Sequence, residues 1–168
     1  MSYAGDVEPR EAYAALAQDE HAVLVDVRTT AEWSYVGVPD LSGLGKQVLC
    51  LEWQRFPDGA VNEQFAAQLR DAGLHEGAPV YFLCRSGVRS VAAARAATAA
   101  GIGPSYNVLH GFEGPHDAQG HRSVAGWKNE GLPWRQGCAA SRGCAPPPWP
   151  SAAASPAAAS TRPPRRSS

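Results

Sequence analysis

A cysteine lies where a buried strand gives way to a helix, in the segment Leu83-Cys84-Arg85-Ser86-Gly87-Val88-Arg89-Ser90. A sharp turn at such a point aims successive backbone N–H groups into one concavity, which binds anions and favours a thiolate over a thiol. Arg85 and Arg89 add positive charge, and Gly87 permits a backbone conformation that other residues resist. Val88 places an apolar side chain in the loop, where it could help to shield a reactive sulfur from water. The segment therefore combines a nucleophilic sulfur with a pocket for an anion: thiosulfate, a phosphate ester or arsenate.

The length of the loop helps to choose among these anions. Ser90 occupies the position where a cysteine phosphatase needs a phosphate-clamping arginine, and Arg89 instead closes a loop of six residues that begins at Cys84. A smaller cradle suits one sulfur atom attached to Cys84 better than a tetrahedral oxyanion. We therefore favour Cys84 as a sulfur-carrying nucleophile. The anion-binding loop would then comprise Arg85, Ser86, Gly87, Val88, Arg89 and Ser90.

Strands and helices alternate along the part of the chain that must position this loop. The pattern predicts strands at 22–27, 47–53, 79–83 and 105–109, and helices at 9–18, from Thr29 or Thr30, at 63–73 and 91–101, and near 124–129. The strands are apolar without alternation, which indicates burial on both faces. Such an arrangement predicts an α/β layer sandwich with a mostly parallel sheet flanked by helices. Ligands bind at the carboxyl ends of strands in these sheets, which is where Cys84 lies.

Composition divides the chain into a folded domain at 3–136 and a tail at 137–168. The tail is rich in Pro, Ala, Ser and Arg and has little to bury, so we expect it to be disordered. The formal net charge of −1 argues against a general nucleic-acid binder. The N-terminus lacks the apolar core of a secretory signal, and no apolar run reaches the roughly 18 residues of a membrane span.

The four cysteines are Cys50, Cys84, Cys138 and Cys144, and none of them forms a CxxC pair. Free thiols in a reducing compartment are the simplest interpretation, which predicts a cytoplasmic protein. Cys50 is expected to be a buried structural thiol. Cys138 and Cys144 could accept sulfur from Cys84 or form a disulfide, although incidental tail thiols are the preferred interpretation. His110, His116 and His121 share a loop, but their spacing matches no zinc motif, so no metal is expected.

The chain resembles the rhodanese family in several segments that occur in the family's order. These are Val25-Asp26-Val27-Arg28 with Glu32-Trp33, Gly37-Val38-Pro39, CRSGVRS at 84–90, Leu109-His110-Gly111-Phe112, Gly126-Trp127-Lys128 and Gly131-Leu132-Pro133-Trp134. The resemblance spans 3–136 and implies a rhodanese-like three-layer sandwich. Two departures are Gly37-Val38-Pro39-Asp40-Leu41, where many members have His-Ile-Pro-Gly-Ala, and His110, which replaces the first glycine of a Gly-Gly pair.

The resemblance implies a thiosulfate sulfurtransferase-type enzyme with no metal and no organic cofactor. Sulfane sulfur would move from a small sulfur-containing anion such as thiosulfate to cyanide or a thiol, protein thiols included, through a Cys84 persulfide. Asp26, Arg28 and Glu32 are expected to support the site structurally, with Asp26 tying loops together and Arg28 paired with Glu32.

Two other functions stay open at this point. An arsenate reductase or cysteine phosphatase could use the same anion pocket and the same fold. A non-enzymatic sulfur carrier or interaction module could recruit a partner through the Pro- and Arg-rich tail.

Overall fold

The structure is a computed structural model, and it describes residues 2–136. Five strands form a parallel sheet, and two short strands pair antiparallel beside it. In chain order the elements are β1 (Gly5–Val7), α1 (Pro9–Gln18), β2 (Val23–Asp26), α2 (Thr30–Tyr35), β3 (Val38–Pro39), a 3-10 turn (Ser42–Leu44), β4 (Leu49–Cys50), α3 (Phe65–Asp71), β5 (Glu76–Leu83), α4 (Val88–Ala99), β6 (Gly103–Val108) and β7 (Trp134–Arg135). The sheet order is β1-β6-β5-β2-β4, and β3 pairs with β7.

Both faces of the parallel sheet are buried, which gives the molecule three layers. Successive residues of β2 alternate between two hydrophobic clusters, with Leu24 in one and Val25 in the other. Helix α1 packs on the first face through Leu16, while α3 and α4 cover the second through residues such as Leu69 and Ala93. This confirms the predicted α/β sandwich with a parallel sheet flanked by helices. Within residues 2–136, the helices are too short or too polar to cross a bilayer.

Local capping explains why two helices begin where the sequence predicts. Helix α1 spans the predicted residues, with Pro9 in its first turn. Helix α2 follows Thr29, whose side chain accepts from the Glu32 backbone N–H while the Glu32 carboxylate accepts from the Thr29 N–H. This reciprocal capping satisfies two donors that a helix N-terminus otherwise leaves unpaired.

The helix expected near 124–129 is wrong, because that segment forms turns. Its amides bond to another part of the chain: the Trp127 N–H donates to the Gly111 carbonyl at 2.8 Å and the Lys128 N–H to the Phe112 carbonyl at 3.0 Å. The strand expected at 47–53 is reduced to Leu49–Cys50. Strands β1 and β7 were not predicted, since each is too short to show a pattern.

Cys50 and Cys84 differ in oxidation state and in position. Cys50 is disulfide-bonded, so the expectation of a free thiol there is wrong, whereas Cys84 is a free, buried cysteine. Cys50 and Leu83 both lie in register with Asp26, so their side chains share one face of the sheet. Cys84, the residue after Leu83, belongs to the cluster on the opposite face. Cys138, Cys144 and the expected disordered tail at 137–168 lie outside the described residues.

A fully buried ion pair stands at the end of β2. The Arg28 guanidinium donates to the Asp26 carboxylate at 2.6 and 3.0 Å and to the Gly37 carbonyl at 2.7 Å. It also lies 4.2 Å from the centroid of the Phe112 ring. The predicted pairing of Arg28 with Glu32 is therefore wrong: a charge with no exposed surface needs its partner within the core, and Asp26 supplies it.

Replacing Arg28 with Met would leave the Asp26 carboxylate buried without a countercharge. We expect the free energy of unfolding in urea to fall by about 3–5 kcal/mol. The double variant Asp26→Asn/Arg28→Met removes both charges and should recover much of that loss. A single variant as stable as the wild type would contradict the assigned role of the pair.

Candidate functional site

The loop that carries Cys84 is shorter than the sequence indicates, because α4 begins within it. Cys84 follows the last residue of β5, and the chain turns over residues 85–87. Gly87 has φ of 107°, a left-handed conformation that favours glycine, and α4 starts at Val88. Helix α4 had been expected to start only at 91. Arg89 and Ser90 therefore belong to the first helical turn, where unpaired amides make the potential positive.

Two polar groups of this turn face the sulfur. The Gly87 N–H donates to Cys84 Sγ at 3.0 Å, and Ser90 Oγ lies 3.2 Å from the same atom. Cys84 is only 1% exposed. A sulfur anion in this position would be held by an amide hydrogen at the positive end of a helix, as the loop sequence predicts.

The turn after β6 holds the loop from behind. The N–H of Phe112 donates to the Cys84 carbonyl at 2.7 Å, and the N–H of Glu113 donates to the Arg85 carbonyl at 3.0 Å. Gly111 lies so close to the loop that a Cβ there would collide with the Cys84 carbonyl oxygen. His110 adopts φ of 62° without being a glycine. The segment from His110 to Glu113 thus fixes the carbonyls of the loop.

The two arginines of the loop have different surroundings. Arg89 forms a bidentate ion pair with Glu32 at 2.7 and 2.8 Å, although 57 residues separate them. Arg85 is exposed and makes no ion pair within the described part of the chain. The charge of Arg89 is therefore largely neutralised, and Arg85 is the cation of the loop that an incoming anion can reach.

Glu32 is held in its ionised form by these contacts. Burial alone would raise its pKa, but the hydrogen bonds from the Arg89 side chain and the Thr29 backbone outweigh burial and lower the pKa from 4.5 to about 2. The hydrogen bond to Glu32 in turn raises the pKa of Arg89. The pair therefore stays fully charged across the neutral range.

A cleft of about 340 Å³ opens beside the loop. Arg85, Arg89 and Glu32 line one side of it, and the other is lined by Gln54, Arg55, the exposed Phe56, Pro57 and Gly59. On this second side the sequence predicts only a turn, at Pro57-Asp58-Gly59. The available signal was Phe56, an aromatic residue next to a polar turn, which is a common feature of ligand-binding clefts.

Asn107 on β6 is a second residue that sequence reasoning missed. Ser90 Oγ donates to its side-chain oxygen at 2.6 Å, so Asn107 contacts a residue that touches the sulfur. Asn107 could have been noticed in the sequence because a polar amide side chain within the predicted buried strand at 105–109 needs a hydrogen-bond partner. Within the described residues, Asp26 and Arg28 make no hydrogen bond to the sulfur. Arg28 instead packs on the ring of Phe112, whose backbone N–H bonds to the loop. Within residues 2–136, no cluster of three or more His, Cys, Asp or Glu side chains is arranged to hold a metal ion.

Comparison with known proteins finds relatives that each match most of this chain. Residues 5–140 match the family model described as the STR4 middle domain. The chain is 40% identical over 125 residues to the uncharacterized protein RC0915 of Rickettsia conorii, a match that covers 74% of this chain and 92% of that protein. The crystal structure of Rv0390 from M. tuberculosis shares 57% identity with a TM-score of 0.75, over 81% of this chain and 100% of that chain. Rhodanese-like domain-containing protein 4, chloroplastic, of Arabidopsis thaliana is 28% identical over 125 residues, which are 74% of this chain and 24% of that protein.

Replacing Glu32 with Gln should weaken the anchor of Arg89. We expect a loss of about 1–2 kcal/mol in the free energy of unfolding at neutral pH. Because the pKa of Glu32 is lowered in the folded state, its contribution is complete above pH 4.5 and is lost as the pH falls toward about 2. Urea titrations of both proteins from pH 7 to pH 3 should therefore show a difference that shrinks below roughly pH 4.5. A difference that does not change with pH would contradict the ion pair.

Replacing Gly111 with Ala tests the contact between the turn and the loop. The added Cβ collides with the Cys84 carbonyl, so stability should fall by roughly 2–4 kcal/mol and reactivity of Cys84 toward a thiol reagent should change. Gly120→Ala is the matched control, because Gly120 also has positive φ but nothing lies within 4 Å of its Cβ position. Equal losses in the two variants would show that backbone strain, not the close approach, accounts for the effect.

Proposed function

Because this chain belongs to the rhodanese-like domains, in the family of the STR4 middle domain, we propose that it is a sulfurtransferase whose Cys84 carries sulfur as a persulfide. The observation that carries the proposal is the position of Cys84 Sγ, which accepts the Gly87 N–H at 3.0 Å at the start of α4. A sulfur anion bound there is stabilised by fixed dipoles that need no rearrangement during the reaction.

The reaction divides one transfer into two displacements. In the first, the Cys84 thiolate attacks the outer sulfur of thiosulfate. A new S–S bond forms, the S–S bond of thiosulfate breaks, and sulfite leaves with the electron pair, so that one negative charge remains on the outer sulfur of the persulfide. In the second, cyanide or a thiolate attacks that outer sulfur. The bond to Cys84 breaks, and the thiolate is regenerated.

Arg85 is the residue we assign to binding of the donor. It lines the cleft beside the loop, it is exposed, and Glu32 engages the neighbouring Arg89 rather than Arg85. A small sulfur-containing anion would therefore meet Arg85 as it approaches the sulfur. Ser86 and Val88 complete the rim of the loop, and Val88 is exposed.

The geometry does not favour phosphoryl or arsenate chemistry. A phosphate-clamping group would have to be Arg89, which already makes two hydrogen bonds to Glu32, or Ser90, which is wholly buried and bonds to Asn107. No guanidinium of the loop other than that of Arg85 is left to bind a tetrahedral oxyanion. Sulfur transfer requires less room and less charge than either alternative.

Intact mass measurement after treatment with thiosulfate tests the covalent step. The wild type should gain the mass of one sulfur atom, peptide mapping should place it on Cys84, and cyanide should remove it as thiocyanate. Cys84→Ala should gain nothing. Turnover of an aryl phosphate that is abolished in Cys84→Ser, without any sulfur loading of the wild type, would overturn the proposal in favour of a phosphatase.

Replacing Arg85 with Gln tests the assignment of the donor site. We expect KM for thiosulfate to rise about tenfold, since roughly 1.4 kcal/mol is a modest estimate for one charge-assisted contact. Arg95→Gln is the control: Arg95 is an exposed arginine on α4 that lies over the Tyr3 ring and away from the cleft. The same rise in both variants would indicate a general effect of net charge.

A further inference from the structure

A chain of hydrogen bonds leads from the sulfur to the edge of the sheet. Ser90 Oγ lies 3.2 Å from Cys84 Sγ and 2.6 Å from the Asn107 side-chain oxygen. The Asn107 side-chain nitrogen donates to Asp6 at 2.8 Å, and the Tyr3 hydroxyl donates to the same carboxylate oxygen at 2.8 Å. Ser90 and Asn107 are buried, whereas Asp6 on β1 is exposed. The sulfur is thus connected to a surface carboxylate through two interior side chains.

The Asp6 carboxylate fixes the orientation of the Asn107 amide. An ionised carboxylate can only accept hydrogen bonds, so the amide nitrogen must face Asp6. The reversed amide would bring two oxygen atoms together at 2.8 Å. The side-chain oxygen of Asn107 therefore faces Ser90.

This orientation determines where the single hydroxyl hydrogen of Ser90 points. A hydroxyl has one hydrogen and two lone pairs, and the Asn107 oxygen can only accept. At 2.6 Å the short contact with that oxygen takes the hydrogen. Ser90 then presents a lone pair to the sulfur 3.2 Å away.

A lone pair facing the sulfur discriminates among the forms of Cys84. The thiol can donate its hydrogen to Ser90, so it fits. The inner sulfur of a persulfide has no hydrogen to donate, but it carries no formal charge, so the Ser90 lone pair repels it less than it repels a thiolate. A thiolate fits only if the Ser90 hydroxyl rotates toward it, which leaves the buried oxygen of Asn107 without a donor.

We propose that Asn107 is a positioning residue which, through Ser90, restrains formation of the Cys84 thiolate and so favours the protonated and the sulfur-loaded states over the bare anion. The inference rests on the proposed function only in taking Cys84 as the reactive sulfur. Asn107 would then oppose the Gly87 amide, which favours the anion, and the balance of the two sets how readily the thiolate forms.

Other charged or titratable side chains lie on the elements around the sulfur. They lie in the loop and α4, on α2, on β2 and in the turn after β6, and are Arg85, Arg89, Glu32, Asp26, Arg28 and His110. Neither Ser90 nor Asn107 makes a recorded hydrogen bond with any of them. A change in sulfur titration on substituting Asn107 is therefore attributable to Ser90.

The rate at which iodoacetamide alkylates Cys84, followed by peptide mass as a function of pH, measures the thiolate directly. In Asn107→Leu the Ser90 hydroxyl is free to donate to the sulfur, so the midpoint of the profile should fall by about one pH unit. In the Ser90→Ala background the same substitution should cause no shift, because no hydroxyl remains to be redirected. A role of Asn107 in folding alone would not depend on Ser90 in this way.

Asp6→Ala is a second way to free the Ser90 hydrogen, and it keeps both buried residues, Ser90 and Asn107. Without the carboxylate, the Asn107 amide can turn its nitrogen toward Ser90, which again frees the Ser90 hydrogen for the sulfur. The midpoint should fall in the same direction as in Asn107→Leu. Glu63→Ala removes the same charge from an exposed position that makes no recorded hydrogen bond to the network, and it should behave as the wild type.

Two results would overturn the inference: wild-type midpoints in both Asn107→Leu and Asp6→Ala, or equal shifts of Asn107→Leu with and without Ser90. Sulfur loading by thiosulfate is measured separately on the wild type. A wild type that never loads sulfur would defeat the proposed function while leaving the alkylation result to decide the role of Asn107.

Discussion

The structure around the site depends on keeping one sulfur atom at the positive end of α4. The short turn over residues 85–87 achieves this by joining β5 to α4 with almost no intervening loop, so that the helix begins beside Cys84. Such a turn would leave carbonyl groups pointing inward without partners. The amides of Phe112 and Glu113 bond to those carbonyls and thereby orient the loop. The geometry of the sulfur is therefore determined as much by the turn after β6 as by the loop itself.

The buried ion pair behind the loop also holds the loop in place. The Asp26–Arg28 pair lies inside the core, and its guanidinium packs on Phe112, the residue whose amide holds the Cys84 carbonyl. On the outer side, Glu32 takes up Arg89 and leaves Arg85 accessible. Two ion pairs thus stabilise the loop: Asp26–Arg28 through its contact with Phe112, and Glu32–Arg89 directly.

Local patterns predicted the elements well, whereas contacts between distant segments could not be predicted from them. The buried strands, the capping of α2 and the place of Cys84 at a strand end all follow from residues adjacent in sequence. The pairing of Glu32 with Arg89 joins residues 57 apart in the sequence. Arg28 lies close in sequence to both Asp26 and Glu32, so local spacing does not decide which of them it pairs with. The role of Asn107 depends on a neighbour in a different element. The segment 124–129 forms turns and not the predicted helix, because the Trp127 and Lys128 amides bond to the distant Gly111 and Phe112 carbonyls.

The sheet also separates the two kinds of sulfur that this domain contains. The disulfide-bonded Cys50 and the free Cys84 lie in the clusters on opposite faces, with the hydrogen-bonded backbone between them. Thiol–disulfide exchange requires the attacking sulfur to contact the disulfide, and no side chain reaches through a paired sheet to do so. Cys84 therefore cannot attack the Cys50 sulfur directly from its own face of the sheet.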